Sequence, residues 1–320
     1  MQQKSCSMKR SLLLSVAILM FPLLSGAQQA KNAIHDPAFA RGFNVVCPDP
    51  AADTLCGALQ VDSTATPVWT LRQYNSKFNI ASNRFEKIGN RYHFRVSGNG
   101  NLLAKSLSIN PVKGSLTMEC NASAEYKGIR RSDQPWVSMT VDAPTDTLPL
   151  AGCESLQLSL SYRVLNYEDC MGFLADIGFH AASFNLSFMV RNINNESRYQ
   201  GDCFRICLLL FDNRFMGLSR EATISSNSSQ FREVFSYHPK SQMYMPAVLN
   251  GKLPKVKQNI ELDVDILPII AAALTTAEAQ GLITDTTPAD WEVVACDMGW
   301  EMTGTYNASV QVKKLQLTAR

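Results

Sequence analysis

The sequence predicts an all-β protein, a β-sandwich or jelly roll with one short helix, at about 267–280, between late strands. Three observations carry this. Apolar residues recur at every second position in stretch after stretch. Helical spacing recurs clearly once. Hydrophobic residues make up 46% of the 320 residues and charged residues only 18%, which is enough for a large core and excludes disorder as the main state.

The N-terminus reads as an address. In Met8 to Ala27, Lys9 and Arg10 form a basic region, Leu12 to Leu24 an apolar run, and Ser25-Gly26-Ala27 a small-residue cleavage site. The run is short of the about 20 residues a membrane span needs. Residues 1–27 are therefore expected to be a signal peptide, and the chain to be exported to the periplasm, the cell surface or the medium. No later stretch is apolar enough for a transmembrane span. Removing Lys4, Lys9 and Arg10 takes the formal charge from +2 to −1, which argues against a nucleic-acid partner.

The domain division expected is a lead-in at 28–60, with Pro37, Pro48 and Pro50, and one β-sandwich domain at 61–320. Alternation then marks the strands. Tyr92, Phe94 and Val96 oppose Arg91, His93 and Arg95. Leu116, Met118 and Cys120 follow the turn at Pro111 to Gly114. Val137, Met139 and Val141 oppose Trp136, Ser138 and Thr140. The clearest strand is Leu156, Leu158, Leu160, Tyr162 and Val164, a half-buried pattern. Phe184, Leu186, Phe188 and Val190 repeat it, with Asn185 and Arg191 on the other side. Phe204 to Phe211 is apolar on both faces and is expected to lie centrally. Further strands are predicted at 231–237, 260–264, 291–298 and 308–317. Lys313-Lys314 interrupts the last one as a β-bulge would.

The helix follows from Pro268 in a first-turn position, from Ile269, Ile270, Ala273, Leu274 and Ala277 at helical spacing, and from Gly281 as a stop. About ten strands and one helix make a sandwich. The stretch 212–259 should form long loops over one face.

After Cys6, eight cysteines remain: Cys47, Cys56, Cys120, Cys153, Cys170, Cys203, Cys207 and Cys296. An even count in an exported chain suggests disulfides. Cys47 and Cys56 flank Pro48-Asp49-Pro50 and could close a small loop. Cys203 and Cys207, if on one strand, stand about 13 Å apart and cannot pair. There is no CxxC pair and no His at ligand spacing from a Cys, so no metal site is read. No cofactor is expected, save a structural calcium, which jelly rolls hold through backbone carbonyls and an acid.

No nucleophile elbow, phosphate-binding loop or catalytic residue set is legible. Glu168, Asp169, Asp176, Asp212, Glu292, Asp297 and Glu301 are the carboxylates weighed for glycoside hydrolysis, and nothing pairs any two. Glu292 and Asp297, at odd offset, should face opposite sheet surfaces in a regular strand. His180 is expected to be structural. Asp62-Ser63-Thr64, Asp146-Thr147-Leu148 and Asp285-Thr286-Thr287 fit the O-glycan acceptor pattern of some gut Gram-negative bacteria.

What remains is aromatic and amide-rich. Sugar rings stack their C–H faces on Trp or Tyr and need polar partners for their hydroxyls. Trp136, Tyr199, Arg214, Tyr237, Tyr244, Trp291 and Trp300 are candidates, with Asn185 and Arg191 as exposed polar groups. The segment order Ile260 to Pro268, the Ala-rich helix, Trp291-Glu-Val-Val, and Met298-Gly-Trp-Glu-Met-Thr-Gly304 resembles secreted jelly-roll proteins of the galactose-binding-like, carbohydrate-binding-module type, found in bacterial glycan-degrading systems. That resemblance implies saccharide binding by sheet and loops and transfers no catalytic residue. The ligand set expected is Trp300, Glu301, Trp136, Arg214, Tyr237 and Asn185, and the partner a glycan or glycoconjugate bound without chemistry. The alternatives are a hydrolase or lyase on the same fold, using Glu301 or Asp212, and an adhesive surface protein that binds other proteins.

Overall fold

In the computed structural model the chain is described over residues 32–82, 85–214, 241–246, 254–279, 281 and 283–320. The signal peptide expected at 1–27 and the strand expected at 231–237 lie outside the described residues. Two sheets stack into a β-sandwich of the jelly-roll type. The nine-stranded sheet runs β13 (Ser241–Pro246), β12 (Cys203–Asp212), β11 (Ala182–Asn192), β15 (Trp291–Met302), β8 (Val137–Ala143), β3 (Trp69–Arg72), β1 (Phe43–Val46) and β2 (Leu55–Leu59), with β9 (Leu148–Pro149) also on β15. The seven-stranded sheet runs β14 (Ile260–Asp265), β10 (Leu156–Asp169), β16 (Tyr306–Ala319), β7 (Ser115–Asn121), β6 (Leu103–Asn110), β5 (Arg91–Ser97) and β4 (Glu86–Ile88).

The core follows from the alternation. In β10, Leu156, Leu158, Leu160, Tyr162 and Val164 are buried, as are Phe184, Leu186, Phe188 and Val190 in β11. Because the side-chain period is two, neighbouring register rows face opposite ways. One row of the nine-stranded sheet reads Val45, Leu71, Val141, Met298, Leu186 and Leu208, all buried against the partner sheet. The next reads Asn44, Thr70, Asp142, Asp297, Ser187 and Cys207, on the outer face.

Several expectations are met in detail. The helix is α2 (Leu267–Ala279), after the single turn α1 (Ala122–Glu125). α2 buries Ile270, Ala273, Leu274 and Ala277 in the core. Asp265 Oδ1 accepts from the Leu267 N–H at 3.0 Å and starts it. Gly281, at φ +70, donates its N–H to Glu278 O at 2.7 Å and stops it. The bulge falls where the lysines interrupt the pattern. Ser159 pairs with Gln316 and Ser161 with Lys313, so Lys314 and Leu315 oppose Leu160, and Lys314 takes φ +54.

Three expectations need correction. Residues 43–59, read as part of a lead-in, supply β1 and β2 to the nine-stranded sheet. β12 is second in its sheet beside β13, not central. Its double apolar pattern reports burial on both faces, with Ile206, Cys207 and Leu208 all buried, and that is independent of strand order. Last, Glu292 and Asp297 share a face. Val190 pairs with Val293 but Met189 with Ala295, so Val294 is an extra residue that resets the alternation of β15 between the two acids.

Candidate functional site

The outer face of the nine-stranded sheet collects the polar chemistry of the molecule. β15 runs through its middle and presents Glu292, Asp297, Gly299 and Glu301 in order. Register places Arg191 beside Glu292, then Asp142 and Ser187 on either side of Asp297. Thr140 and Asn185 flank Gly299, and Ser138 and Ser183 flank Glu301. Directly opposed side chains on one face of an antiparallel pair have Cβ atoms about 4.5–5.5 Å apart. Asp142 and Asp297 are therefore two carboxylates facing each other at close range.

Each is met from its far side by a guanidinium. Arg205 Nη1 donates to Asp297 Oδ2 at 2.7 Å, and Arg72 Nε donates to Asp142 Oδ2 at 2.6 Å. Arg72 also donates through Nη1 to Asp53 Oδ1 and to the Tyr74 hydroxyl, both at 2.5 Å. A guanidinium thus stands beyond each acid, Arg72 from the β3 side and Arg205 from the β12 side. The Asp297 side chain is only 13% exposed. Burial pushes its carboxyl up to about 6; Arg205 opposes the shift, and Asp142 and Glu301 add to it. Burial also raises Asp142, against the pull of Arg72. Glu292 is held by Arg191, whose Nε donates at 2.7 Å.

Glu301 and Asn185, two members of the expected ligand set, lie beside each other. The Asn185 Nδ2 donates to Glu301 Oε2 at 3.5 Å. Asn185 faces outward but is only 6% exposed, not an exposed amide. Its Oδ1 is buried with no hydrogen-bond partner among the described residues. A buried amide oxygen left this way costs free energy until a donor reaches it. Trp136, immediately before β8, is 44% exposed beside this row, with the Arg130 guanidinium 5.9 Å from its ring. Asp212, in register with Ser183, is buried and bound by Arg214 through Nε at 2.9 Å and Nη2 at 2.7 Å.

Other candidates lie elsewhere. Trp300 is fully buried between the sheets, its ring 5.2 Å from Phe184 and 5.9 Å from Phe211, its Nε1 donating to Met118 O at 3.4 Å. It is in register with Met139 and Phe184, both core residues. The adjacent Glu301 is outward, so Trp300 must be inward, and it cannot stack a ligand from solvent. Trp291 is buried too. The Tyr199 hydroxyl receives a hydrogen bond from Arg198 at 2.6 Å, away from the row. Tyr237 lies outside the described residues. Tyr244 falls in β13 opposite Cys207, at the end of the Asp142–Asp297 row. His180 is structural: its Nδ1 accepts from the Asp176 N–H at 3.0 Å and its Nε2 meets Arg130 O at 3.1 Å.

Asp142, Arg72 and Arg205 were missed. Each is an outward polar residue of its strand, but no local signal says that β8 pairs with β15 or that β3 and β12 lie one strand further out on either side. Among the described residues no three His, Cys, Asp or Glu side chains cluster as metal ligands. No helix of the described residues is long and apolar enough to cross a membrane.

No family model matches the sequence, and no curated protein matches it. Solved structures similar to the chain include a family 12 xyloglucanase from Bacillus licheniformis in complex with ligand, at TM-score 0.39 and 10% identity over 78% of this chain and 99% of that one. Endoglucanase cel12A from Rhodothermus marinus gives 0.34 and 12% over 74% and 96%. The xyloglucanase domain of NopAA, a type three effector from Sinorhizobium fredii, in complex with cellobiose, gives 0.32 and 12% over 78% and 98%. Similarity at this level does not extend to function.

Proposed function

We propose that the protein acts on a glycan laid across the outer face of the nine-stranded sheet, and that it hydrolyses a glycosidic bond there. The observation that carries this is the opposed pair Asp142 and Asp297, joined on the same face by Glu301. Glycoside hydrolysis uses two carboxyl groups around the scissile bond, and the short separation of about 5–5.5 Å goes with retention of anomeric configuration. Asp297, held up near 6, is the proton donor to the leaving oxygen. Asp142, with Arg72 favouring its ionised form, is the carboxylate that attacks the anomeric carbon. Water then releases the sugar, with Asp297 as base. Asn185 and Glu301 take sugar hydroxyls, and Trp136 offers a ring at the rim.

A second reading, binding without chemistry, is favoured by the guanidinium already on each acid and by the open acceptor of Asn185. One experiment separates them. The purified chain is assayed on a polysaccharide panel for reducing ends and for retention on a glycan array. Hydrolysis predicts product that falls at least about 1000-fold in Asp297→Asn and Asp142→Asn while binding persists. Retention on the array without product supports binding alone. Neither product nor retention sinks both.

A further inference from the structure

We propose that Cys47 and Cys56 join in a disulfide that clamps the β1–β2 loop and fixes the rim of the outer face. The hairpin brings them together. Val46 pairs with Leu55 but Val45 with Gly57, so Cys56 is the extra residue of a bulge. Cys47 directly follows β1, and its N–H donates to Thr54 O at 2.8 Å. Cys56 turns its Sγ back over β1, 3.5 Å from Val45 O, and burial together with the nearby Cys47 pushes its thiol up. Thiols at neighbouring positions of one hairpin can reach the about 2.05 Å of an S–S bond when their Cα atoms lie within about 7 Å.

The clamp has a structural consequence. Cys56 Sγ also accepts from Asn79 Nδ2 at 3.2 Å, and Asn79 Oδ1 accepts from Gln73 Nε2 at 2.6 Å. The loop between the cysteines carries Asp53, which meets Arg72 and Tyr74 on the outer face, and Pro48, whose carbonyl accepts from Asn75 N–H at 2.8 Å. Fixing the loop fixes the carboxylate that shares Arg72 with Asp142. Three of the other thiols are poorly placed to compete. Cys120, Cys207 and Cys296 are buried, which pushes the first two up to about 12 and the third well above the usual thiol range. Cys153 Sγ is directed to Ser155 O at 3.0 Å. The reaction takes two protons and two electrons from the pair. A small-molecule disulfide such as oxidised glutathione accepts both through a mixed disulfide and leaves as two thiols.

The test is peptide mapping of the full chain in buffers of oxidised or reduced glutathione, alkylated in denaturant and cut with trypsin. No Lys or Arg lies between Arg41 and Arg72, so one peptide, 42–72, carries both cysteines and no others. The oxidised chain should give this peptide unalkylated and two hydrogens lighter than the dithiol. The reduced chain should give it doubly alkylated. Two alkylated thiols in the oxidising buffer, or either cysteine joined to another peptide, overturns the proposal. Melting supplies a second readout. Oxidised wild type should melt about 5 °C above reduced wild type, and Cys47→Ser/Cys56→Ser should show no difference between the buffers. A difference that persists in the double variant assigns the effect to another pair and overturns the clamp.

Discussion

Asp297 concentrates the chemistry and the cost of the outer face in one side chain. Its folded carboxyl titrates near 6, above the about 3.9 of an unfolded Asp. Between those values the folded chain binds the extra proton, so stability is highest below about pH 4 for this group, falls as pH rises to about 6, and stays level above. The full swing is at most about 3 kcal/mol. Thermal unfolding followed from pH 4 to 7 should show this decline in wild type, and Asp297→Asn should flatten it. An unchanged slope in the variant would assign the decline to other groups. Trp300 makes the contrary point. A surface role predicts that Trp300→Ala leaves stability untouched. Its position between Phe184 and Phe211 predicts a loss of about 3–5 kcal/mol, read by urea unfolding. A single step along β15 separates the reactive acid row from the core, which is why one residue of register decides what each side chain does.

At the scale of the element, β15 is held to β8 by a close approach that only glycine permits. A Cβ on Gly299 would stand 2.3 Å from Met139 O and 2.4 Å from Thr140 Cα. Both are backbone atoms of β8 and cannot swing aside. Gly299→Ala should therefore push the two strands apart, lower the melting temperature by several degrees, and disturb Asp142 relative to Asp297. Protection of the β8 amides from hydrogen exchange would fall with it, and unchanged protection would show that the strands tolerate the methyl. The bulge at Val294 works on the same element in a different way. It returns Glu292 to the face of Asp297 and Glu301, so three acids line one surface of β15. The bulge at Lys314 had a sequence signature in the broken alternation Val312, Lys313, Lys314, Leu315. The one at Val294 had none, because Val293, Val294 and Ala295 are all apolar and no polar residue marks the slip.

The whole molecule depends on strands distant in sequence. β16 closes the seven-stranded sheet between β10 and β7, pairing residues 306–319 with 156–169 and with 115–121. Removing 306–320 would uncover a ladder edge on each neighbour and strip Val310, Val312, Leu315 and Leu317 from the core. The truncated chain should lose its cooperative thermal transition and bind a hydrophobic dye at room temperature. A sharp transition retained would mean that the sandwich closes without that strand.

The sequence by itself determined the all-β class, the inward and outward residues of most strands, the helix with both its ends, and the bulge in the last strand. All of these arise from contacts within a few residues, where backbone sterics and a two-residue or 3.6-residue period act directly. It also placed Asn185 and Arg191 on the outward side of their strand. Only the tertiary structure decided that β3, β8 and β12, through Arg72, Asp142 and Arg205, bring their charges around Asp297. It also turned Trp300 into a core residue and Glu292 into a neighbour of the acid row. Strand order and register are set by which long-range pairings bury the most apolar surface together, and a one-residue slip in that choice exchanges the core for the surface.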